Sequence, residues 1–481
     1  MGLKKNIVYS SILTTSLYIF QFITYPYVSR VLGVTNIGIC NFAQSVVAFA
    51  ILFSTFGITT IGIREIAAAK GDKEKLNRTF SGIFQINLLL TLVVIVLYII
   101  AIEILPQLTP YRKLLYIGIF QILFNTLTME WLFKGLEDFK YITMQTIWVR
   151  IAYVIAIFIF IQDKDDYCLY FIITVGLYVL NGLINSIYSP KLVKFAWQPT
   201  KAIFKKYAIQ VLFLGSQALL QTLYTSFNVV YLGFVSNDDQ VGYYTTATKI
   251  QNIILALYSS FTLVMMPRIS AMLADNDMGN VKTMINKSFS ILYAFAFPTI
   301  ILSEIFAPEI ISIIAGKGYE QAIPLLRIAM PLILIIGIEQ ILIVQLLMPL
   351  RADKMVFTNS LIGGSVGLIS NILLVGWLQS TGSVLVWFLS EFAVFSSAYY
   401  FVRKLTGISI SLKIVNQYII SFLPLLGICY LISLMDQKFI ALAYAIIVCI
   451  VYTHIILLYI VKNEIYQSLI FQFKTKHNKQ Q

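Results

Sequence analysis

The chain has 481 residues, 59% of them hydrophobic and only 12% charged, and its basic residues exceed its acidic ones by 13. A soluble domain needs about a quarter of its residues charged, so most of this length must face lipid or other helices. Apolar runs of about 18–25 residues recur from end to end, the spacing a bilayer imposes on helices, and no stretch is polar enough for a soluble domain.

The runs predict fourteen spans, at 7–32, 37–62, 81–104, 114–134, 142–162, 168–190, 208–234, 242–267, 288–308, 323–349, 356–378, 383–402, 415–434 and 439–461. Lys4 and Lys5 before the first run mimic a signal peptide, but no small-x-small cleavage pattern follows and the run continues to Leu32. It reads as a retained first helix. Alternate loops hold 26 Lys and Arg on one side against 7 on the other, with Arg150 and Lys249 inside spans. Positive loops stay inside, which puts both termini in the cytoplasm and requires an even number of spans.

That alternation also explains the basic charge without a nucleic-acid partner. Cys40, Cys168, Cys429 and Cys449 lie scattered in apolar segments, and His454 and His477 cannot complete a metal site with them. No acidic pair marks a hydrolytic centre and no nucleotide-binding loop is present. The expectation is a transporter without catalytic residues, metal or cofactor.

The chain repeats itself. Gly38 in NIGICNFAQSVV matches Gly242 in QVGYYTTATKIQ, and Arg64 matches Arg268, both at an offset of 204 residues. Two six-helix halves follow, and because six is even they share one orientation, a parallel repeat about an axis along the membrane normal. The expected organisation is an N-terminal bundle at 1–206, a second bundle at 207–404, and two additional spans with a basic cytoplasmic tail at 405–481.

Polar residues at helical spacing mark some helices. The first span carries Ser10, Thr14, Tyr18, Gln21 and Tyr25, and the second Asn41, Ser45, Thr55 and Thr59. The seventh carries Gln217, Gln221, Tyr224 and Asn228, and the eighth Thr245, Lys249, Asn252 and Ser259. Steps of three and four place each set on one face. Interhelical hydrogen bonding accounts for such faces in any bundle, but these four helices are repeat-related pairs. That pattern predicts a water-accessible cavity between the halves.

Charges inside spans are few. Lys249 lies on a polar stripe, where a cavity-facing cation competes with snorkelling. Arg150 in QTIWVRIAYV lines a site, snorkels to the interface or pairs with Glu130. Arg30 sits at the outer end of the first helix, the position of an interfacial anchor. Glu130 and Glu339 occupy similar places in the two halves, and Glu391 lies deep in the twelfth span. Each of these acids is either a structural partner or a titrating coupling site.

YPYVSRVLGVTNIGICNFAQSVVAF, FGITTIGIREIA, EWLFKGLEDFKYIT, VGYYTTATKI with PRIS, and LLMPLRADK follow one another in order. Together they resemble the polysaccharide-export branch of the multidrug/oligosaccharidyl-lipid/polysaccharide superfamily over about residues 5–405. The resemblance implies an all-α polytopic membrane protein with two six-helix bundles in a V around a central cavity. It implies a flippase for undecaprenyl-pyrophosphate-linked sugar units of O-antigen, capsule or a similar polymer, with bundles rocking under an ion gradient or the membrane potential. Arg30 matches the Arg of the family's first-helix Arg-x-x-Gly segment, and Lys249 the basic position of its eighth helix. With Arg150 these are the expected substrate-binding cations, since a diphosphate crossing a low-dielectric barrier needs opposite charge beside it. Gln21, Tyr25, Asn41, Ser45, Gln217, Gln221, Tyr224, Asn228, Thr245 and Asn252 are the expected polar lining. Arg64 and Arg268 either attract the headgroup at the cytoplasmic mouth or serve as topology signals.

Three alternatives stay open. One is an ion-coupled multidrug exporter of the same superfamily, which typically has twelve spans and an acidic cation site. Another is a lipid-carrier polymerase or ligase, disfavoured because the longest outer loop, around 309–322, is too short for a catalytic loop. The third is a non-transporting component of a polysaccharide assembly complex. The expected setting is the bacterial cytoplasmic membrane, with a lipid-linked oligosaccharide as substrate, polymerase and chain-length proteins as partners, and a monomer as working unit.

Overall fold

In hydrocarbon every backbone N–H and C=O must find its partner within the protein, and a helix does this within one segment. A computed structural model describes residues 3–463, 466 and 467, and among the described residues the regular structure is helical. The side chains of Lys4, Lys5 and Ser10, and the basic tail with His477, lie outside what is described.

Among the described residues eleven helices are long and apolar enough to cross a membrane, and a bent pair, Lys205–Thr225 with Phe227–Val235, makes a twelfth. Two of these are too long for one crossing. Ile12–Thr55 has 44 residues, roughly 66 Å at 1.5 Å per residue against a hydrocarbon core of about 30 Å. It is interrupted at Gly33, whose φ of 74° suits a residue without Cβ. Asp353–Thr406, with 54 residues, is interrupted at Gln379. Counting each as two spans gives fourteen, as the hydropathy pattern predicts. Their outward faces are apolar and uncovered: Ile209 is 82% exposed and Leu412 74%, as lipid-facing positions should be.

The chain divides into two compact units, one of residues 1–245 with 367–383 and one of 246–366 with 384–481. The first holds α1 (Leu3–Thr55), α2 (Ile58–Ala69), α3 (Lys73–Ile104), α4 (Arg112–Leu127), α5 (Glu130–Gly135), α6 (Phe139–Phe160) and α7 (Tyr167–Tyr188). It continues through α8 (Thr200–Thr225) and α9 (Phe227–Val235) into the start of α10 (Asp238–Ala274). Asp72 caps α3, accepting from the N–H groups of Glu74 and Lys75 at 3.0 Å each, and Asp138 caps α6. Ile58, Ile61, Ile66, Phe80, Ile83, Trp131, Leu132, Phe133 and Ile142 form a core where α2, α3, α5 and α6 meet, closed by Tyr207 and Val211 of α8.

An extended strap, residues 192–199, lies along α3 and precedes α8. The N–H of Lys194 donates to Asn77 Oδ1 at 2.8 Å, that of Ala196 to Ser81 Oγ at 2.9 Å, and that of Gln198 to Gln85 Oε1 at 3.0 Å. Gln85 Nε2 returns a bond to the Gln198 carbonyl at 3.0 Å. The geometry explains the register. Four residues of helix rise about 6 Å and two residues of extended chain rise about 6.6 Å, so positions 77, 81 and 85 keep pace with 194, 196 and 198. Ser81 and Gln85 are fully buried beneath the strap.

The repeat is visible in contacts within this unit. Asn41 Nδ2 donates to Thr245 Oγ1 at 2.8 Å and Thr35 Oγ1 to Asp239 Oδ1 at 2.5 Å, and each pair is separated by 204 residues. Gly38 lies against the carbonyl of Asp238, and Gly242 against the carbonyl of Val34, so closely that a Cβ at either glycine would collide with backbone. Shifting 34 and 38 by 204 gives 238 and 242. Such reciprocal contact is what a two-fold axis between equivalent segments produces.

The second unit contains the rest of α10, then α11 (Met278–Ile314), α12 (Ala322–Ala329), α13 (Leu332–Glu339), most of α14 (Asp353–Ser370) and of α15 (Gly376–Thr406), α16 (Leu412–Ser433) and α17 (Lys438–Ile455). The last two spans pack on α11. Ser290 of α11 and Tyr418 of α16 hydrogen-bond at 2.5 Å, and Asn463 Nδ2 donates to Ser290 Oγ at 2.8 Å. Tyr293 and Phe297 continue this seam against Tyr418 and Phe422.

Candidate functional site

Arg150 stands eleven residues into α6, about 17 Å from its first residue by helical rise. It lines a cavity of about 280 Å³ inside the first unit, with walls from α1, α4, α5, α6 and α7. Thr14, Asn125, Glu130, Lys134, Gln145, Tyr178 and Asn181 share that wall. Glu130 does not form an ion pair with the arginine, which was one of the options its sequence position allowed. It accepts from Lys134 at 2.7 Å, one turn along α5, because the i,i+4 geometry brings the ammonium within easy reach.

The arginine keeps donor capacity. Its Nε is buried and has no hydrogen-bond partner, which is costly for a charged group unless something else occupies the cavity. Neighbouring polar groups are engaged. Gln145 Nε2 donates to Asn181 Oδ1 at 2.5 Å, Asn181 Nδ2 to the Leu177 carbonyl at 2.7 Å, and Asn185 Nδ2 to the Thr128 carbonyl at 2.7 Å. The result is a hydrogen-bonded amide wall that shares its cavity with a guanidinium whose Nε has no partner, a donor that an oxyanion could use. Sequence reasoning found Arg150 but passed over its wall. Tyr178, Asn181 and Asn185 recur at steps of three and four on α7, which was a readable signal.

The other expected lining residues divide. Asn41 and Thr245 meet, and Ser45 Oγ turns back to the Asn41 carbonyl at 2.8 Å. Tyr25 and Tyr224 are buried, Gln217 is half-buried, and Gln21, Gln221 and Asn252 are exposed. Asn228 sits in a packed polar knot. It accepts from Asn371 Nδ2 at 2.6 Å, and its own amide faces the Tyr244 hydroxyl at 3.4 Å and the Ser383 carbonyl at 3.5 Å.

Arg30 is exposed on α1 in the first unit, and Lys249 is half-buried on α10 in the second. Arg64 donates to Gln210 Oε1 at 2.6 Å, and Arg268 is exposed. Below the strap, Asp72, Lys75, Arg78, Gln198, Lys206 and Tyr207 line a second cavity of about 470 Å³. In the second unit Glu339 and Glu391 come together, two acids whose sequence positions did not reveal that they are neighbours.

The family described as "Polysaccharide biosynthesis protein" matches residues 3–273, more than half of the chain. The chain belongs to that family. Two relatives named "Putative O-antigen transporter", from Escherichia coli (strain K12) and Shigella dysenteriae, are each 26% identical. The first match covers 84% of this chain and 97% of the relative, the second 80% and 96%. The family member shares its fold with lipid II flippase MurJ in an inward closed conformation, at a TM-score of 0.72, 14% identity, and coverage of 96% and 98% of the two chains. An inward-facing multidrug resistance MATE transporter of the MOP superfamily follows at 0.66 and 14% identity, covering 82% of this chain and 94% of its own. The chain is therefore a multi-span membrane protein that shares its fold with these two transporters.

Proposed function

We propose that this family member is a flippase that moves lipid-linked oligosaccharide units from the cytoplasmic to the outer leaflet of the bacterial cytoplasmic membrane. The observation that carries the reading is likeness over most of the chain to two relatives named as O-antigen transporters, and to a flippase fold covering 96% of its length. The MATE exporter accounts for 82% of this chain while nearly all of its own is used, which favours the fourteen-span flippase over the twelve-span multidrug alternative.

In this reading the bundles at 1–206 and 207–404 alternate access to a central cavity, with 405–481 as an addition and both termini cytoplasmic. Arg30, Arg150 and Lys249 hold the pyrophosphate or acidic sugars. The Arg150 cavity supports that role, because the Nε of its guanidinium is buried without a hydrogen-bond partner. Arg64 and Arg268 attract the headgroup at the inner mouth. Polymerase and chain-length proteins receive the product, and the monomer suffices.

Deleting the gene tests this. Lipid-linked oligosaccharide should accumulate on the inner leaflet and clear when the intact chain is restored. Normal polymer at the cell surface, together with lost resistance to organic cations, would instead assign the protein to drug export.

A further inference from the structure

The strap at 192–199 has two unlike faces, because successive side chains of an extended chain point to opposite sides. Phe195 and Trp197 share one face, with ring centroids 6.1 Å apart, and are 46% and 60% exposed. Phe195 also meets Phe84 of α3 at 5.7 Å. About 12 Å of helical rise beyond Phe84, α3 begins to display Leu92, Val93, Val96 and Leu97, exposed apolar side chains that suit lipid. The strap therefore lies beside the end of a span, where aromatic rings gather at the membrane–water boundary. Lys191 and Lys194 flank the rings and are exposed.

Gln198, on the other face, lines the cavity of about 470 Å³. The acids on its wall are already engaged. Asp72 accepts from the N–H groups of Glu74 and Lys75, Glu74 pairs with Arg78 at 2.6 Å, and Glu65 pairs with Arg64 at 3.4 Å. Lys75 of α3 and Lys206 of α8 share that wall, and neither belongs to an ion pair among the described residues.

Tyr207, also on the wall, has the Lys206 ammonium 4.6 Å from its ring centre. It is 3% exposed, and its hydroxyl is buried with no hydrogen-bond partner. Such a group is costly unless something satisfies it. Two ammonium groups and an unused hydroxyl on one wall are donors for the oxygens of a phosphate.

We propose that the cavity and the strap form a binding site for an anionic phospholipid of the surrounding membrane. Lys75, Lys206 and Tyr207 hold the phosphate of the headgroup, while Phe195 and Trp197 anchor the strap among neighbouring lipids. The exposed rings and their flanking lysines suit an anionic bilayer surface, which favours a membrane lipid over free phosphate. The site lies within the first unit and shares no wall residue with the Arg150 cavity, so it does not rest on the flippase reading.

The test uses the purified full chain in neutral detergent, titrated with phosphatidylglycerol, phosphatidylcholine or inorganic phosphate. Thermal unfolding and native mass spectrometry read the binding. Phosphatidylglycerol should raise the unfolding temperature saturably, whereas the zwitterionic lipid and phosphate should not. Joint replacement Lys75→Gln and Lys206→Gln, at exposed positions where packing is not disturbed, should weaken that binding about tenfold or more. Tyr207→Phe keeps the ring, removes only the hydroxyl and should weaken it about threefold. Lys282→Gln with Lys354→Gln removes the same charge from exposed positions elsewhere and should leave it unchanged. Equal affinity for the two lipids would overturn the site, as would equal weakening by the two lysine pairs or none by Lys75→Gln with Lys206→Gln. Saturable stabilisation by inorganic phosphate without preference for the anionic lipid would overturn the choice of a membrane lipid. The gene-deletion test of the flippase reading is independent of every one of these results.

Discussion

Asn41 Nδ2 donates to Thr245 Oγ1 across 2.8 Å, and these two residues occupy the same place in the two copies of the repeat. Thr35 and Asp239, also separated by 204 residues, meet six residues earlier in each segment. Equivalent positions can touch only near the axis that relates them, so this stretch marks the axis. Replacing Thr35 and Asp239 together by cysteine, in a background with the four native cysteines changed to serine, should give an oxidant-dependent cross-link. A shift in peptide mobility after cleavage between the two positions reads it. No cross-link at those positions would mean that the register of the repeat is wrong.

Gly38→Ala and Gly242→Ala should cost similar amounts, because their Cβ atoms would meet the carbonyls of Asp238 and Val34, two residues that are themselves repeat equivalents. Overpacking against backbone of this kind costs about 1–3 kcal/mol. Thermal unfolding in detergent should show two comparable decreases. A large loss for one and none for the other would contradict the reciprocal contact.

Gln85→Leu should leave both the N–H and the C=O of Gln198 without their partner. Each buried unsatisfied group costs about 1–3 kcal/mol, so the strap at 192–199 should lift. Faster protease cleavage within that segment, with the rest of the chain intact, is the measurement. Unchanged cleavage would show that apolar contacts hold the strap instead.

Arg150→Ala should lower polymer export about tenfold or more at normal abundance, and Arg150→Lys should restore it only partly. Lysine supplies charge but not the planar fork. Lys249→Ala should also lower export, whereas Lys249→Arg should retain it. Quantified surface polymer per unit of membrane protein is the readout. Wild-type export from both alanine variants would remove these cations from the proposed substrate site.

Much of the architecture was legible because lipid imposes length and polarity on each span. Gly38 and Gly242 betrayed the repeat because close backbone approach tolerates no side chain there. The polar stripes were less informative. A stripe records that a face needs hydrogen-bond partners, not whether those partners are water or protein, and Asn228 turned out to be enclosed by Asn371, Tyr244 and Ser383. The strap left no pattern in the sequence, since its bonds run from side chains of α3 to backbone groups more than a hundred residues away. Glu339 and Glu391 were each visible as buried acids. Their partnership was not, because it depends on how two helices 52 residues apart are rotated. The wall around Arg150 could have been found, had the Tyr178, Asn181 and Asn185 series been weighed as the longer stripes were.

The seam that joins α11 to the last two spans also bears on how far the chain can be shortened. Ser290, Tyr418 and Asn463 complete one another's hydrogen bonding, and Tyr418 is wholly enclosed. Cutting the protein back to its twelve leading spans would strand a hydroxyl in hydrocarbon and strip Tyr293 of Tyr418 and Phe297 of Phe422. The C-terminal pair is thus built into the second unit as a wall, and a trimmed version would have to find new cover for α11 before it could stand in a bilayer.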